Sequence, residues 1–185
     1  MQTLKLLFRV LLFGIFFPAV TRGEQVYVLH ETTVLQQVYA ARRLGAAVTA
    51  AGHTVVAERA GCDYLIRLAL DDRQLTPEAF AIVPAAREIT ISGGDRRGLI
   101  YGCLALVEML GNGTDLAHIP ATAEKPHLAF RGLKFNLPWE TYRPTSALDQ
   151  HDATVRDLKF WEAFLDMMVE NRFNVISLWN LNPYT

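Results

Sequence analysis

The chain reads as α/β: a small α+β sandwich followed by a βαβ unit of the kind that builds parallel sheets and barrels. Three observations predict this. Residues 25–110 alternate short β-favouring runs with two helical patterns, in the order β-α-β-β-β-β-α. Residues 112–126 carry Pro120 and Pro126 and no periodicity, which marks a connector with a domain boundary near Glu124. A strand, an amphipathic helix and a continuous apolar strand then follow from Leu128 onward.

The first residues differ from the rest. Lys5 and Arg9 precede the uninterrupted apolar run Val10 to Phe17, Pro18 ends it, and Thr21 and Gly23 stand two positions apart with Arg22 between. This is the grammar of a signal peptide over residues 1–23, and the run is short of the roughly 20 residues that span a bilayer. Export is therefore expected, to the periplasm or the outside of the cell, with no membrane attachment after cleavage.

Gln25 to His30 is the first strand. Thr32 or Thr33 is expected to cap the next helix, whose apolar face is read as Val34, Val38, Ala41, Gly45 and Val48, ending at Gly52. His53 to Ala57 and Tyr64 to Leu70 are the second and third strands. Phe80 to Pro84 and Glu88 to Ser92 read as a hairpin around Ala85-Ala86-Arg87. The run Ser92-Gly93-Gly94-Asp95-Arg96-Arg97-Gly98 turns a strand tightly into a helix, with Asp95 as cap and Leu99, Gly102, Cys103, Leu106, Val107 and Leu110 as the buried stripe. It has no Gly-x-Gly-x-x-Gly and no Gly-Lys-Thr, so close helix–sheet packing is a better reason for the glycines than a phosphate.

Beyond the connector, Leu128 to Leu137 reads as a strand and Trp139 to Ala153 as a long loop. A helix is expected to open at Thr154-Val-Arg-Asp157, with Val155, Leu158, Trp161, Leu165 and Met168 as its stripe, and Val175 to Trp179 closes the unit as a strand. A complete (β/α)₈ barrel takes about 250 residues, and residues 125–185 fall far short of it. Two readings of this shortfall stand: a truncated barrel, or a small sandwich onto which the last βαβ unit packs.

Composition narrows the function. Of 185 residues 51% are hydrophobic and 20% charged, with a formal net charge of −1, so nothing points to nucleic acid or an anionic membrane. Five scattered histidines and two cysteines show no metal-ligand spacing, and no metal or cofactor is expected. Export permits a disulfide between Cys62 and Cys103, and two small buried thiols explain the pair equally well.

Two stretches resemble one group of enzymes. Ile89 to Leu110, containing Ser-Gly-Gly-Asp-Arg-Arg-Gly, resembles the end of the non-catalytic α/β domain that precedes the barrel in family 20 hexosaminidases, and family 67 α-glucuronidases carry a similar domain. Phe130-Arg131-Gly132-Leu133-Lys134-Phe135-Asn136 resembles their first barrel strand. Phe164 to Ile176 resembles their first barrel helix running into the second strand. The resemblance implies an accessory domain over residues 24–124 and the first βαβ unit of an incomplete (β/α)₈ barrel over 125–185. It implies a glycoside hydrolase acting on oligo- or polysaccharides, with its catalytic carboxylates on later strands and so no catalytic residue in this stretch. Where hexosaminidases place a sugar-gripping arginine this sequence has Trp139, and where they carry His-x-His it has Ser177 and Trp179. Their aminosugar contacts therefore do not carry over. A non-catalytic carbohydrate-binding or interaction protein is the alternative.

In βα barrels the site forms at the C-terminal ends of the strands. Those ends carry Asn136 and Trp139 on one strand and Trp179 and Asn180 on the other. Indole faces stack on the C–H face of a pyranose, and an amide both donates to and accepts from hydroxyls, so these four residues suit a carbohydrate. Arg143, in the long loop, is the candidate to replace the missing arginine. Barrel or loop packing accounts for the same tryptophans, and Arg131 fits a buttress of the barrel or of the domain interface better than a substrate contact. Of the nearby carboxylates Glu140, Asp149 and Asp152, none forms an evident acid/base pair.

Overall fold

The computed structural model describes residues 23–137 and 146–179. The signal-peptide reading therefore lies outside the described residues but for Gly23. Among the described residues no helix is long and apolar enough to cross a membrane.

The first unit is a six-stranded sheet with two helices on one face. Its strands are β1 (Gln25–Leu29), β2 (Thr54–Val55), β3 (Tyr64–Leu70), β4 (Phe80–Ala85), β5 (Glu88–Gly93) and β6 (Thr122–Glu124). Its helices are α1 (Leu35–Ala50) and α2 (Arg96–Gly111). The strand order is β2-β1-β3-β5-β4-β6, with β1, β2, β3 and β5 mutually parallel and β4 antiparallel to both its neighbours. Alternate residues of the central strands point into the core: Val26 and Val28, Ile66 and Leu68, Phe80 and Ile82, and Ile89 and Ile91. Leu44 and Val48 of α1 and Leu99, Cys103 and Leu106 of α2 close the layer over them. The β-α-β-β-β-β-α order read from the sequence is the order observed.

Local differences have physical causes. Neither Thr32 nor Thr33 caps α1; Val34 occupies the cap position without a side-chain bond. Gln37 instead reaches back beyond the helix start, its Oε1 accepting from the Glu31 N–H at 2.8 Å. With its amide satisfied, Gln37 is buried, and the helix turns so that Gln37, Ala40, Ala41, Leu44 and Val48 face inward while Val38 is exposed. The second strand shrinks to Thr54–Val55 on the sheet edge. The connector holds β6, which pairs with the open edge of β4, Phe80 opposite Glu124 and Ile82 opposite Thr122.

The glycine-rich turn is a packing device. A Cβ on Gly94 would lie 2.0 Å from the Thr76 carbonyl oxygen, and one on Gly98 would lie 2.2 Å from that of Ala79. Asp95 caps α2 as expected, accepting from the Gly98 N–H at 2.7 Å and also from the Glu78 N–H at 3.1 Å.

The second unit holds β7 (Gly132–Asn136), α3 (Ser146–Val155), α4 (Leu158–Glu170) and β8 (Val175–Trp179), with β7 and β8 parallel. The expected loop over 139–153 gives way to α3 from Ser146. The proposed cap at Thr154 is therefore inside a helix, where its hydroxyl donates to the Gln150 carbonyl at 2.8 Å. Asp157 is the true cap of α4, accepting from the Lys159 N–H. The α4 stripe is also turned: Leu158 and Leu165 are exposed, while Phe160, Trp161 and Phe164 gather around Phe135 of β7 and Met168 is buried. The strand expected from Leu128 starts at Gly132, leaving Leu128 and Phe130 exposed. Arg43 of α1 pairs with Glu170 and, at 4.0 Å, with Asp166, tying α1 to α4.

Cys62 and Cys103 are both free thiols. Burial pushes the Cys103 thiol far above its usual range, whereas Cys62 is partly exposed. Ellman's reagent is expected to titrate one thiol in the native chain and two in denaturant. Two fast thiols in the native state would show that α2 opens readily.

Candidate functional site

The pleat of the two-stranded sheet separates two chemistries. Phe135 points to the helices, its ring 5.1 to 5.8 Å from those of His151, Phe160, Trp161 and Phe164. Residues of the opposite parity, Lys134 and Asn136 on β7 and Ser177 and Trp179 on β8, share the other face. In the parallel register Lys134 stands beside Ser177 and Asn136 beside Trp179. The Leu137 N–H donates to the Trp179 carbonyl at 2.8 Å, which holds the two strand ends level. The Lys134 ammonium sits 4.3 Å from the centre of the Trp179 ring, within cation–π range.

Of the five candidates read from the sequence, Asn136 and Trp179 are thus side by side and exposed at the C-terminal ends of the strands. Trp139, Arg143 and Asn180 lie outside the described residues. Asp149 is exposed, and Asp152 pairs with Arg156 at 2.6 Å, which holds its carboxyl below the usual carboxylate range. Neither belongs to the Asn136–Trp179 face.

The opposite, N-terminal ends of β7 and β8 meet the first unit in a dense polar cluster centred on Glu78. Glu78 is 8% exposed and has a left-handed backbone, φ 63°, a conformation that costs a non-glycine residue about 1 kcal/mol. Its carboxylate accepts from Arg97 Nη1 at 3.1 Å, Arg131 Nη2 at 3.0 Å and Asn174 Nδ2 at 3.1 Å. Arg131 also donates through Nε to the Arg172 carbonyl at 2.6 Å and lies over the Tyr101 ring at 5.9 Å. Burial pulls the Arg131 guanidinium down, but its bonds to Glu78 and Tyr101 and the charge of Glu78 outweigh that and hold it above its ordinary value. Burial raises Tyr101 above the usual phenol range. Beside the cluster runs a cleft of about 240 Å³ lined by Phe80, Tyr101, Arg131 and Arg172. Arg172 lies over Phe80 and bonds Glu124 at 2.6 Å.

This cluster is a fastening and not an acid/base pair, because Glu78 is committed to three donors and Glu124 to Arg172. Arg131 reaches from the second unit to Glu78 and Tyr101 of the first, one of the two buttress positions the sequence left open. Glu78, Arg97 and Asn174 were not foreseen. The available signal was an acidic residue between Pro77 and the apolar Ala79-Phe80-Ala81-Ile82, and a second asparagine in Asn171-Arg172-Phe173-Asn174. Among the described residues no three His, Cys, Asp or Glu side chains stand close enough to hold a metal ion.

Residues 19–123 match the family "Glycosyl hydrolase family 20, domain 2". Among solved structures, a GH138 enzyme targeting pectin rhamnogalacturonan II superposes with a TM-score of 0.70 at 26% identity, over 86% of this chain and 24% of that one. A GH115 4-O-methyl-alpha-glucuronidase with specificity for decorated arabinogalactans superposes at 0.60 and 16% identity, over 85% and 25%. The beta-N-acetylhexosaminidase from Bacteroides fragilis NCTC 9343 does so at 0.50 and 15% identity, over 84% and 28%. This chain therefore spans about a quarter of the length of the solved structures it matches. No curated protein matches it.

Proposed function

Starting from a chain that belongs to the family glycosyl hydrolase family 20, domain 2, we propose that it is the amino-terminal part of an exported glycoside hydrolase acting on an oligo- or polysaccharide. In this reading residues 1–23 are the signal peptide, 24–124 the accessory domain and 125–185 the opening βαβ unit of a (β/α)₈ barrel. The observation that carries the reading is the register pairing of Asn136 with Trp179 on the face of β7–β8 turned away from the helices. In a barrel that face lines the interior, and the strand ends that bear these two residues form the mouth of the active site. An indole floor beside an amide is a sugar subsite, with Trp139, Arg143 and Asn180 completing it from the adjoining segments. The acid and the nucleophile or base come from strands further along the barrel, since glycoside hydrolysis needs two suitably spaced carboxylates.

Titration calorimetry of the mature chain against a panel of plant and microbial oligosaccharides is the test. Binding of at least one class is expected, and Trp179→Ala is expected to weaken it about tenfold, the loss of roughly 1.4 kcal/mol of stacking. Binding that survives in both Trp179→Ala and Asn136→Ala would remove the sugar subsite from these strand ends. For catalysis, the reading frame past the Thr185 codon is expected to add further βα units with an acidic pair. A stop codon there would leave carbohydrate binding as the function of this polypeptide.

A further inference from the structure

We propose that Glu78 is a positioning residue for the candidate sugar site: from the accessory domain it sets the register of β7 on β8, and through it the spacing of Asn136 and Trp179. The functional meaning of this proposal rests on the glycosidase reading; its geometry does not.

Among the described residues Glu78 is the one side chain of the first unit that accepts from the residues opening both strands. Arg131 immediately precedes β7 and Asn174 immediately precedes β8. Both donate to the Glu78 carboxylate, at 3.0 and 3.1 Å. They are also locked to each other: the Arg131 N–H donates to Asn174 Oδ1 at 3.0 Å, and the Asn174 N–H to the Arg131 carbonyl at 2.9 Å. Asn174 Nδ2 further reaches the Ala129 carbonyl at 2.8 Å. Each parallel ladder bond downstream inherits this starting register, and a slip of one residue would turn Trp179 to the helix side. From Arg131 to Asn136 the strand advances roughly 16 Å, so Glu78 acts at a distance from the site and touches none of it.

Glu78 is itself held in place from within the first unit. Its N–H donates to Asp95, the cap of α2, and its carboxylate accepts from Arg97 of the same helix. The left-handed backbone at Glu78 is the kind of outlier that persists only where the surroundings over-determine it. A carboxylate serves here because two guanidinium groups and an amide each donate to it, and its two charged oxygens accept from all three.

The readout is the contact between Lys134 and Trp179, which a one-residue slip breaks by turning Trp179 to the other face. In NMR spectra of the full chain the indole ring current is expected to shift the Lys134 ε-methylene upfield. Glu78→Ala is expected to abolish that shift while the methyl signals of Ile66 and Ile82 in the accessory core stay in place. Arg131→Lys, which keeps the charge but loses the fork, is expected to do the same, and it carries the test if Glu78→Ala does not fold. Ile82→Val, a destabilising change that leaves Glu78 alone, is expected to preserve the Lys134 shift. A Lys134 shift that persists in folded Glu78→Ala or Arg131→Lys overturns the positioning role. So does its loss in Ile82→Val, since general loosening would then explain everything. None of these measurements involves a sugar, so failure of carbohydrate binding and failure of this proposal are read separately.

Discussion

Gly98→Val is expected to unfold the accessory unit, or to lower its stability by about 3 kcal/mol or more, at the upper end of what overpacking does. Gly98 sits in the first turn of α2, and a Cβ there would lie 2.2 Å from the Ala79 carbonyl oxygen and 3.0 Å from the Glu78 carbonyl carbon. The obstacle is backbone, so no rotamer change relieves it. Either α2 lifts from β4, exposing Leu99 and Cys103, or the segment carrying Glu78 moves. Total stabilities of about 5–15 kcal/mol leave little room for either. Urea denaturation followed by circular dichroism measures the loss. Gly111→Ala at the other end of α2 is the control: a Cβ there meets nothing within 4 Å, and the change is expected to be neutral or stabilising by up to about 1 kcal/mol. An unchanged midpoint for Gly98→Val would mean that α2 does not rest on the Ala79 backbone.

Phe135→Ala is expected to act on the other unit. Its ring is the hub of an aromatic cluster with His151, Phe160, Trp161 and Phe164, and it joins β7 to both α3 and α4. Truncating a core phenylalanine costs about 3–5 kcal/mol, and the lower figure suits a partly exposed site. Among the described residues of 132–179 only Met168 is a buried hydrophobic side chain, so this loss is large against their local stability. Hydrogen exchange read by mass spectrometry is expected to speed up across α3, α4 and β8 while β3, β5 and α2 keep their protection. Equal acceleration in both units would show instead that they unfold as one cooperative body, with the Glu78 cluster as the joint.

Where local signals agreed, the elements were legible. Asp95 before a clean apolar stripe marked α2 and its cap, and short apolar runs marked β1, β3, β5 and β8. The site was half legible in the same sense: an amide and an indole at two strand ends could be named, and the register that sets Asn136 beside Trp179 followed only from pairing. Strand β6 escaped notice because its three residues carry no pattern of their own; the open edge of β4 makes the strand. Helix α3 escaped because its sequence, Ser-Ala-Leu-Asp-Gln-His-Asp-Ala-Thr-Val, has a weak apolar face; among its described side chains His151 packs on Phe135 of β7.

Sequence alone determined the α/β class, the order of elements through α2 and the chemical character of the strand ends, because these depend on residue type and spacing within one segment. Tertiary structure decided which face of α1 is buried, where β7 begins and what Glu78 does. Each of these depends on partners far apart in the chain: Gln37 needs the Glu31 N–H to enter the core, and Glu78 needs Arg131 and Asn174 to justify a buried charge. A buried polar group is stable only when its partners are present, and the identity of those partners is a property of the fold.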